Sequence, residues 1–334
     1  MGVSMRDVAA TAKVSVGTVS NVLNAPGKVA PATVARVQAA IDELGFVRND
    51  AARQLRAGRS RCVGLVVLDV GNPFFTDIAR AAEHRAGEHD LTILLGTSDD
   101  DVARERAYVD VFDEQRVFGL LVSPIGDDLS RLDAVRRRGT PVVLVDRDGT
   151  GTPFDSVAVD DIAGGRMAVA HLLARGRRRI AYVGGPAGLR QVSDRRRGAE
   201  AAVGEVPGAE LEVIETPAPS VAAGHAVGEA LRRRPARERP DAVFCANDLL
   251  AMGVLQAVTI VGDIRVPEDI ALIGYDDIDF ARSTVVALSS IRQPTSWIGI
   301  TAVDLLLAAA GGSSRHVPSH RVFQPELVVR ASTR

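Results

Sequence analysis

From Cys62 onward the chain alternates between short β-rich apolar runs and longer amphipathic stretches, and that alternation leaves few folds open to it. The runs are CVGLVVL, LTILL, FGLLVS, PVVLV, SVAV, RIAYVGG, LEVI, AVFCA and IALIG, separated by helical patterns such as 75–89, 162–175, 221–234 and 248–261. Apolar residues at consecutive rather than alternate positions mark strands buried on both faces, the signature of parallel sheets covered by helices. The runs are too many for one small sheet. They predict an α/β body of two doubly wound lobes, roughly 62–160 and 161–290. The rest of the chain, a helix over 296–310 and the strand RVFQPELVV, is too short for a third domain and is expected to cross back. The first lobe is then about 62–160 plus 292–321, and the second about 161–291 plus 322–334, within a body of 62–334.

Before Cys62 the pattern is helical. Ser4 and Asp7 have capping-box spacing for a first helix with Val8, Ala9 and Ala12 on one face. Ser15 can cap a second, striped by Val19, Val22 and Leu23, which ends at Asn24-Ala25-Pro26-Gly27. A third opens with Pro31, turns Val34, Val37, Ile41 and Leu44 inward and stops at Gly45. Residues 1–48 therefore read as a three-helix head and 49–61 as a basic linker able to form a helix. Residues 1–61 hold nine Lys/Arg against four acids, a charge of +5, whereas the remainder holds 31 against 38. A basic head on an acidic body points to a polyanionic partner for the head.

The segment RDVAATAKVSVGTVSNVLN places two helices around a tight turn at Lys13-Val14. The second of such a pair fits the DNA major groove, about 12 Å wide, with its first residues on base edges. In that pose Val16, Gly17 and Asn21 face the bases, and Thr18, Ser20 and Asn24 are short donors for phosphate oxygens. The alternative for this segment is an ordinary helical hairpin packed on the body.

These residues lie in a chain that resembles the lactose/galactose-repressor family of bacterial transcription regulators. The resemblance runs through DVAATAKVSVGTVSNVLN, TVARVQAAIDELGF and NDAARQLRAGRSRCVGLVV, then NPFF (72–75), VDR (145–147), RRRG (195–198), AND (246–248), VPEDIALIGYDD (266–277) and LSSIRQP (288–294). It implies a helix-turn-helix head, a hinge helix that folds on DNA, and a body like the periplasmic sugar-binding proteins with a small effector between its lobes. It also implies a homodimer on a near-palindromic operator, acting most often as a repressor in the cytoplasm. Thr33 joins the phosphate contacts. Leu55 becomes a minor-groove wedge flanked by Arg53 and Arg56, since an apolar side chain inserted at a base step kinks the duplex. In the body the resemblance puts Phe75, Asp146, Arg195, Asn247 and Asp276 around the effector. Carboxylates, a guanidinium and an amide suit a polyhydroxylated molecule.

Three positions depart from the family pattern. Ala30-Pro31 stands where a serine commonly caps the third helix, Gly17 brings no side chain to the bases, and Pro219 stands where an aromatic residue often walls the pocket. Base reading therefore leans on the Asn21 amide and on apolar contact from Val16.

Other functions find little support. Gly184-Gly185-Pro186-Ala187-Gly188 matches no phosphate-loop motif, no nucleophile elbow occurs, and the six histidines have neither catalytic nor metal-ligand spacing. No enzyme, cofactor or metal is expected. Cys62 and Cys245 suggest neither a disulfide framework nor a zinc site, and a reducing compartment suits them. No uncharged apolar run reaches the roughly 18 residues of a membrane span, and the start of the chain is charged where a secretory signal is apolar. A transport-type solute-binding protein would need such a signal and would lack the basic head.

Overall fold

The computed structural model describes residues 3–46, 60–260, 264–311 and 316–334. Residues 1–59 and 60–334 form two separate compact units.

In the first unit, α1 (Met5–Thr11), α2 (Val16–Asn24) and α3 (Pro31–Leu44) enclose a small core of Val8, Ala9, Ala12, Val19, Val22, Val37 and Ala40. The expected capping box is present: the Asp7 carboxylate accepts from Ser4 N–H at 2.8 Å, and Asp7 N–H donates to Ser4 Oγ at 3.4 Å. The Ser4 hydroxyl, donating to Asp7 Oδ2 at 2.7 Å, and then the Ser4 N–H hold the Asp7 carboxyl below the ordinary range. Lys13 takes φ 50°, the left-handed conformation that folds α2 back within so few residues. Ser15 Oγ caps α2 by accepting from Thr18 N–H at 3.0 Å. Ala30 leaves α3 without a side-chain cap, Pro31 opens it, and Gly45 ends it at φ 60°.

The second unit holds two sheets, each with six strands among the described residues. The first contains β1 (Cys62–Val67), β2 (Thr92–Thr97), β3 (Gly119–Val122), β4 (Val142–Val145), β5 (Asp155–Val159) and β11 (His320–Phe323), ordered β11-β5-β4-β3-β1-β2 and parallel throughout. The second contains β6 (Arg179–Gly184), β7 (Glu210–Glu215), β8 (Ala242–Cys245), β9 (Ala271–Asp276), β10 (Ser289–Arg292) and β12 (Glu326–Val328), ordered β12-β10-β9-β8-β6-β7. It is parallel except for β12, which runs against β10. As the unbroken apolar runs require, β3, β4, β8 and β9 are buried along their whole length.

RVFQPELVV is not the single strand expected. It divides into β11 in one sheet and β12 in the other, because Pro325 offers no N–H to a ladder and the chain changes sheet at Gln324-Pro325. The chain passes between the sheets two further times, after β5 and after β10. The order β3-β1-β2 in one sheet and β8-β6-β7 in the other reverses direction at β1/β3 and β6/β8, so each sheet opens a crevice at its carboxyl edge.

Helices that follow these strands carry the loops of that edge. They include α4 (Pro73–Gly87), α5 (Val102–Glu114) and α6 (Ser130–Arg137) on the first sheet, then α7 (Asp161–Ala174), α8 (Arg190–Gly204), α9 (Val221–Arg233) and α10 (Asp248–Ile260) on the second. The return helix α11 (Thr295–Gly311) packs on α4. Helices α7 and α8 meet backbone to backbone: a Cβ at Gly165 would lie 2.0 Å from the Arg195 carbonyl oxygen, and one at Gly198 2.1 Å from that of Ile162. Gly165→Ala should therefore force the helices apart and cost about 1–3 kcal/mol, seen as a lower Tm by calorimetry. Gly204→Ala, where a Cβ meets nothing within 4 Å, is the matched control and should leave Tm unchanged or raise it. Equal behaviour of the two variants would refute the close contact.

Candidate functional site

With Val19 and Val22 turned into the core of the head, α2 presents the opposite face outward. Val16 is 40% exposed, and Gly17, Asn21 and Asn24 are exposed beside it. Thr18 and Ser20 are half-buried, as is Thr33 in the first turn of α3. Two of the proposed phosphate donors are engaged within the helix: Asn24 Nδ2 donates to the Ser20 carbonyl at 2.8 Å and to Ser20 Oγ at 3.2 Å. Thr18 Oγ1 and Ser15 Oγ share a hydrogen bond of 2.9 Å. Arg53, Leu55 and Arg56 lie outside the described residues.

In the body, Phe75, Asp146, Arg195, Asn247 and Asp276 come together around one cleft, between the carboxyl edges of the two sheets. Each is placed by a local feature. Asn72 Oδ1 caps α4 by accepting from Phe74 N–H at 3.0 Å, so Phe74 and Phe75 enter the cleft side by side, ring centroids 4.9 Å apart and edge to face. Leu68 completes that apolar wall, and Leu189 and Val192 line the second lobe. Pro219 lines the cleft too, in place of an aromatic wall, and its carbonyl accepts from Asn247 Nδ2 at 3.0 Å. Asp146, just beyond β4, and Asp276, at the end of β9, sit at φ 57° and 102°, left-handed conformations that turn the chain at the strand ends.

Arg195 is the hub. Its Nε donates to Asp161 Oδ1 at 2.7 Å, Nη1 donates to the Ala246 carbonyl at 2.7 Å, and Nη1 lies 3.8 Å from Asp276. The guanidinium carbon lies over Tyr275, 3.7 Å from the ring centre. Asp276 also accepts from Asn72 at 3.3 Å and from Gln293 at 2.8 Å, and Asp146 from Gln191 at 2.7 Å. The bonds from Asn72 and Gln191 cross between the lobes.

Burial dominates the electrostatics. It pushes the Asp146 carboxyl up to about 8, helped by the charge of Asp161 and opposed by Arg195 and Gln191. It lifts Asp276 to about 6 against the pull of Arg195 and the hydrogen bonds of Asn72 and Gln293. Asp161 is raised by burial as well, with Arg195 opposing, and Asp248 lies well above the carboxylate range for the same reason. Desolvation disfavours the Arg195 charge, but Asp161, Tyr275 and Asp276 outweigh it and hold the proton.

Sequence reasoning missed Asn72, Gln191, Gln293, Asp161 and Tyr275. Asn72 alone carried a local signal, a cap residue before Pro73. Among the described residues no three His, Cys, Asp or Glu side chains are grouped to hold a metal, and no helix is long and apolar enough to cross a membrane.

A helix-turn-helix head and a two-lobed body with a small-molecule cleft define the class of ligand-responsive DNA-binding regulators. Residues 4–49 match the family described as bacterial regulatory proteins, lacI family, and residues 169–333 match a periplasmic binding protein-like domain. The chain is 31% identical to the HTH-type transcriptional regulator DegA of Bacillus subtilis (strain 168), over 100% of this chain and 98% of that protein. It is similar in structure to a lac repressor dimer bound to operator and the anti-inducer ONPF, with TM-score 0.84, 28% identity, and 100% and 99% of the two chains covered. A transcriptional regulator CelR–cellobiose complex gives TM-score 0.71 and 32% identity over 99% of each chain. This chain belongs to the lacI family of bacterial transcription regulators.

Proposed function

We propose that the chain is a cytoplasmic repressor whose homodimer grips a near-palindromic operator, and whose grip is set by a small polyhydroxylated effector, such as a sugar, held between the lobes. In this reading residues 1–48 are the DNA-binding head, 49–61 the hinge and 62–334 the effector-binding and dimerisation body. Val16, Gly17 and Asn21 read bases, Thr18, Ser20, Asn24 and Thr33 meet phosphates, and Leu55 wedges the minor groove between Arg53 and Arg56. Phe75 stacks on the effector while Asp146, Arg195, Asn247 and Asp276 hydrogen-bond to it. The cleft binds its ligand without transforming it, as suits a regulator rather than an enzyme.

The observation that carries this reading is convergence: five side chains spread from position 75 to 276 line one cleft, in a chain whose other unit turns Val16, Gly17 and Asn21 outward. A ligand bridging Asp146 of the first lobe and Arg195 and Asp276 of the second favours the closed arrangement, and its differential affinity is what shifts the lobes.

The test begins with a duplex selected from random sequence by the full-length protein. Asn21→Ala should lose about 1–3 kcal/mol on that duplex and relax one base position per half-site, with little change on random DNA. Thr18→Ala should weaken both duplexes alike. Equal losses on selected and random DNA for Asn21→Ala, in fluorescence anisotropy titrations, would remove Asn21 from the base-reading set.

A further inference from the structure

Lysine is nearly absent from this chain: of its 40 Lys and Arg, two are lysines, Lys13 and Lys28, and both stand in the head. They bracket α2, Lys13 in the turn before its Ser15 cap and Lys28 at the end of the short 3₁₀ turn Pro26–Lys28 that follows. Building on the DNA-binding reading of the head, we propose that these two amines are acyl-acceptor sites, and that their conversion to amides by an acyl phosphate or acyl thioester releases the head from DNA.

The placement is the first ground. Nine residues make α2 about 13–14 Å long at 1.5 Å per residue, close to the width of the major groove, about 12 Å. With Val16, Gly17 and Asn21 turned to the bases, the chain just beyond each end of α2 comes up to the phosphate strands that border the groove. Lys13 and Lys28 are exposed there, and among the described residues neither ammonium makes a hydrogen bond or an ion pair. Both amines are therefore open to a reagent in solution, and neither is needed to hold the fold.

The second ground is the division of labour between the two basic residues. Ion pairs in the body, such as Arg195 with Asp161 and Arg166 with Glu205, are made by arginine. A guanidinium keeps its proton at any physiological pH and is no nucleophile, whereas a lysine ammonium yields some free amine. An acyl donor meeting this chain thus finds its amine side chains only beside α2.

The third ground is charge. Residues 3–46 hold Arg6, Lys13, Lys28 and Arg36 against Asp7, Asp42 and Glu43, a balance of +1. Acylation removes the charge of a lysine, so modifying both turns this unit to −1 and reverses its sign toward a polyanion. In the step itself, the ammonium first gives one proton to solvent. The freed nitrogen attacks the acyl carbonyl, and a C–N bond forms as the C–O bond to phosphate, or the C–S bond to the thiol, breaks. The departing group takes up the second proton.

The experiment treats the full-length protein with acetyl phosphate and, in parallel, with acetyl-coenzyme A, which separates the two donor classes. Peptide mass spectrometry locates the acetyl groups, and anisotropy titrations follow binding to the selected duplex and to random DNA. A homodimer acetylated at both lysines of both heads loses four phosphate contacts. Its affinity at about 100 mM salt should fall at least about a hundredfold on both duplexes, and the slope of log affinity against log salt should become shallower by about 3–4. K13R/K28R keeps its charge and its N-terminal amine, so its own affinity should be the same before and after treatment. Untreated K13Q/K28Q should reproduce the weakening, with its helical circular dichroism intact. The proposal is overturned if doubly acetylated protein binds as before, if neither donor modifies the lysines while the N-terminal amine reacts, or if treated K13R/K28R loses as much as the parent. A loss confined to the selected duplex, or one accompanied by loss of helicity, overturns it as well. An untreated parent that selects no duplex would instead remove the DNA-binding reading, and this proposal with it.

Discussion

Raising salt from about 50 to 200 mM should weaken operator binding by this protein about 10³–10⁵-fold, the loss expected when roughly 6–10 phosphates are neutralised. The physical cause is local. Residues 1–61 carry +5, and a homodimer brings two such heads to one duplex, while the rest of each chain holds 38 acids against 31 bases and contributes no attraction. Neutralising phosphates releases condensed counterions, and that release loses its entropic advantage as bulk salt rises. Random duplexes should show a similar dependence on log salt at lower affinity, because phosphate contacts are blind to sequence. Anisotropy titrations at four or five salt concentrations measure both slopes. A flat profile on the selected duplex would mean that the basic residues of the head do not lie along the phosphate backbone.

The parts of this molecule that were legible in its sequence are those governed by near neighbours. Runs such as CVGLVV and AVFC read as buried strands because both faces of a parallel strand are apolar. The Ser4 and Ser15 caps read as helix starts because their partners lie three residues away. RVFQPELVV misled because the change of sheet occupies only Gln324 and Pro325, too little to interrupt a β-rich pattern. The five residues that line the cleft were named through the family resemblance, while the groups that hold them were not. Asn72 and Asp276 lie 204 residues apart, Gln191 and Asp146 lie 45 apart, and Arg195 and Asp161 lie 34 apart. No spacing rule reaches across such distances, because the two α/β crevices set the partners. Tyr275 is the sharpest case: in sequence it is one more apolar residue of a strand, yet it supplies the surface on which Arg195 lies.

The second large effect is expected at that arginine. Arg195→Met should destabilise the body by about 3–5 kcal/mol, because removing one partner of a buried pair leaves the other charge uncompensated. At roughly 2–4 °C per kcal/mol for a chain of this size, the Tm should fall by about 6–20 °C. Methionine fills similar volume, so a cavity does not account for the loss; Asp161 and Asp276 do, as both lose their cation while remaining buried. Those carboxyls can escape only by taking up protons, and that fixes the pH dependence. Both already stand above the usual carboxylate range with Arg195 present, Asp276 at about 6, because burial outweighs the pull of the guanidinium. Without that pull both rise further. A carboxyl raised on folding does no harm below its unfolded value, near 4, and costs progressively more stability as pH rises through its folded value. The deficit of Arg195→Met relative to the parent should therefore be smaller at pH 5 than at pH 8. Adding Asp161→Asn to Arg195→Met should recover part of it at pH 8. Arg195→Lys should recover little, since a point ammonium cannot bond Asp161 and the Ala246 carbonyl from two nitrogens while covering the Tyr275 ring. Thermal and urea melts at the two pH values decide the matter: a deficit that does not change with pH, or full rescue by lysine, would show that Arg195 acts through packing and not as the counter-charge of the cleft.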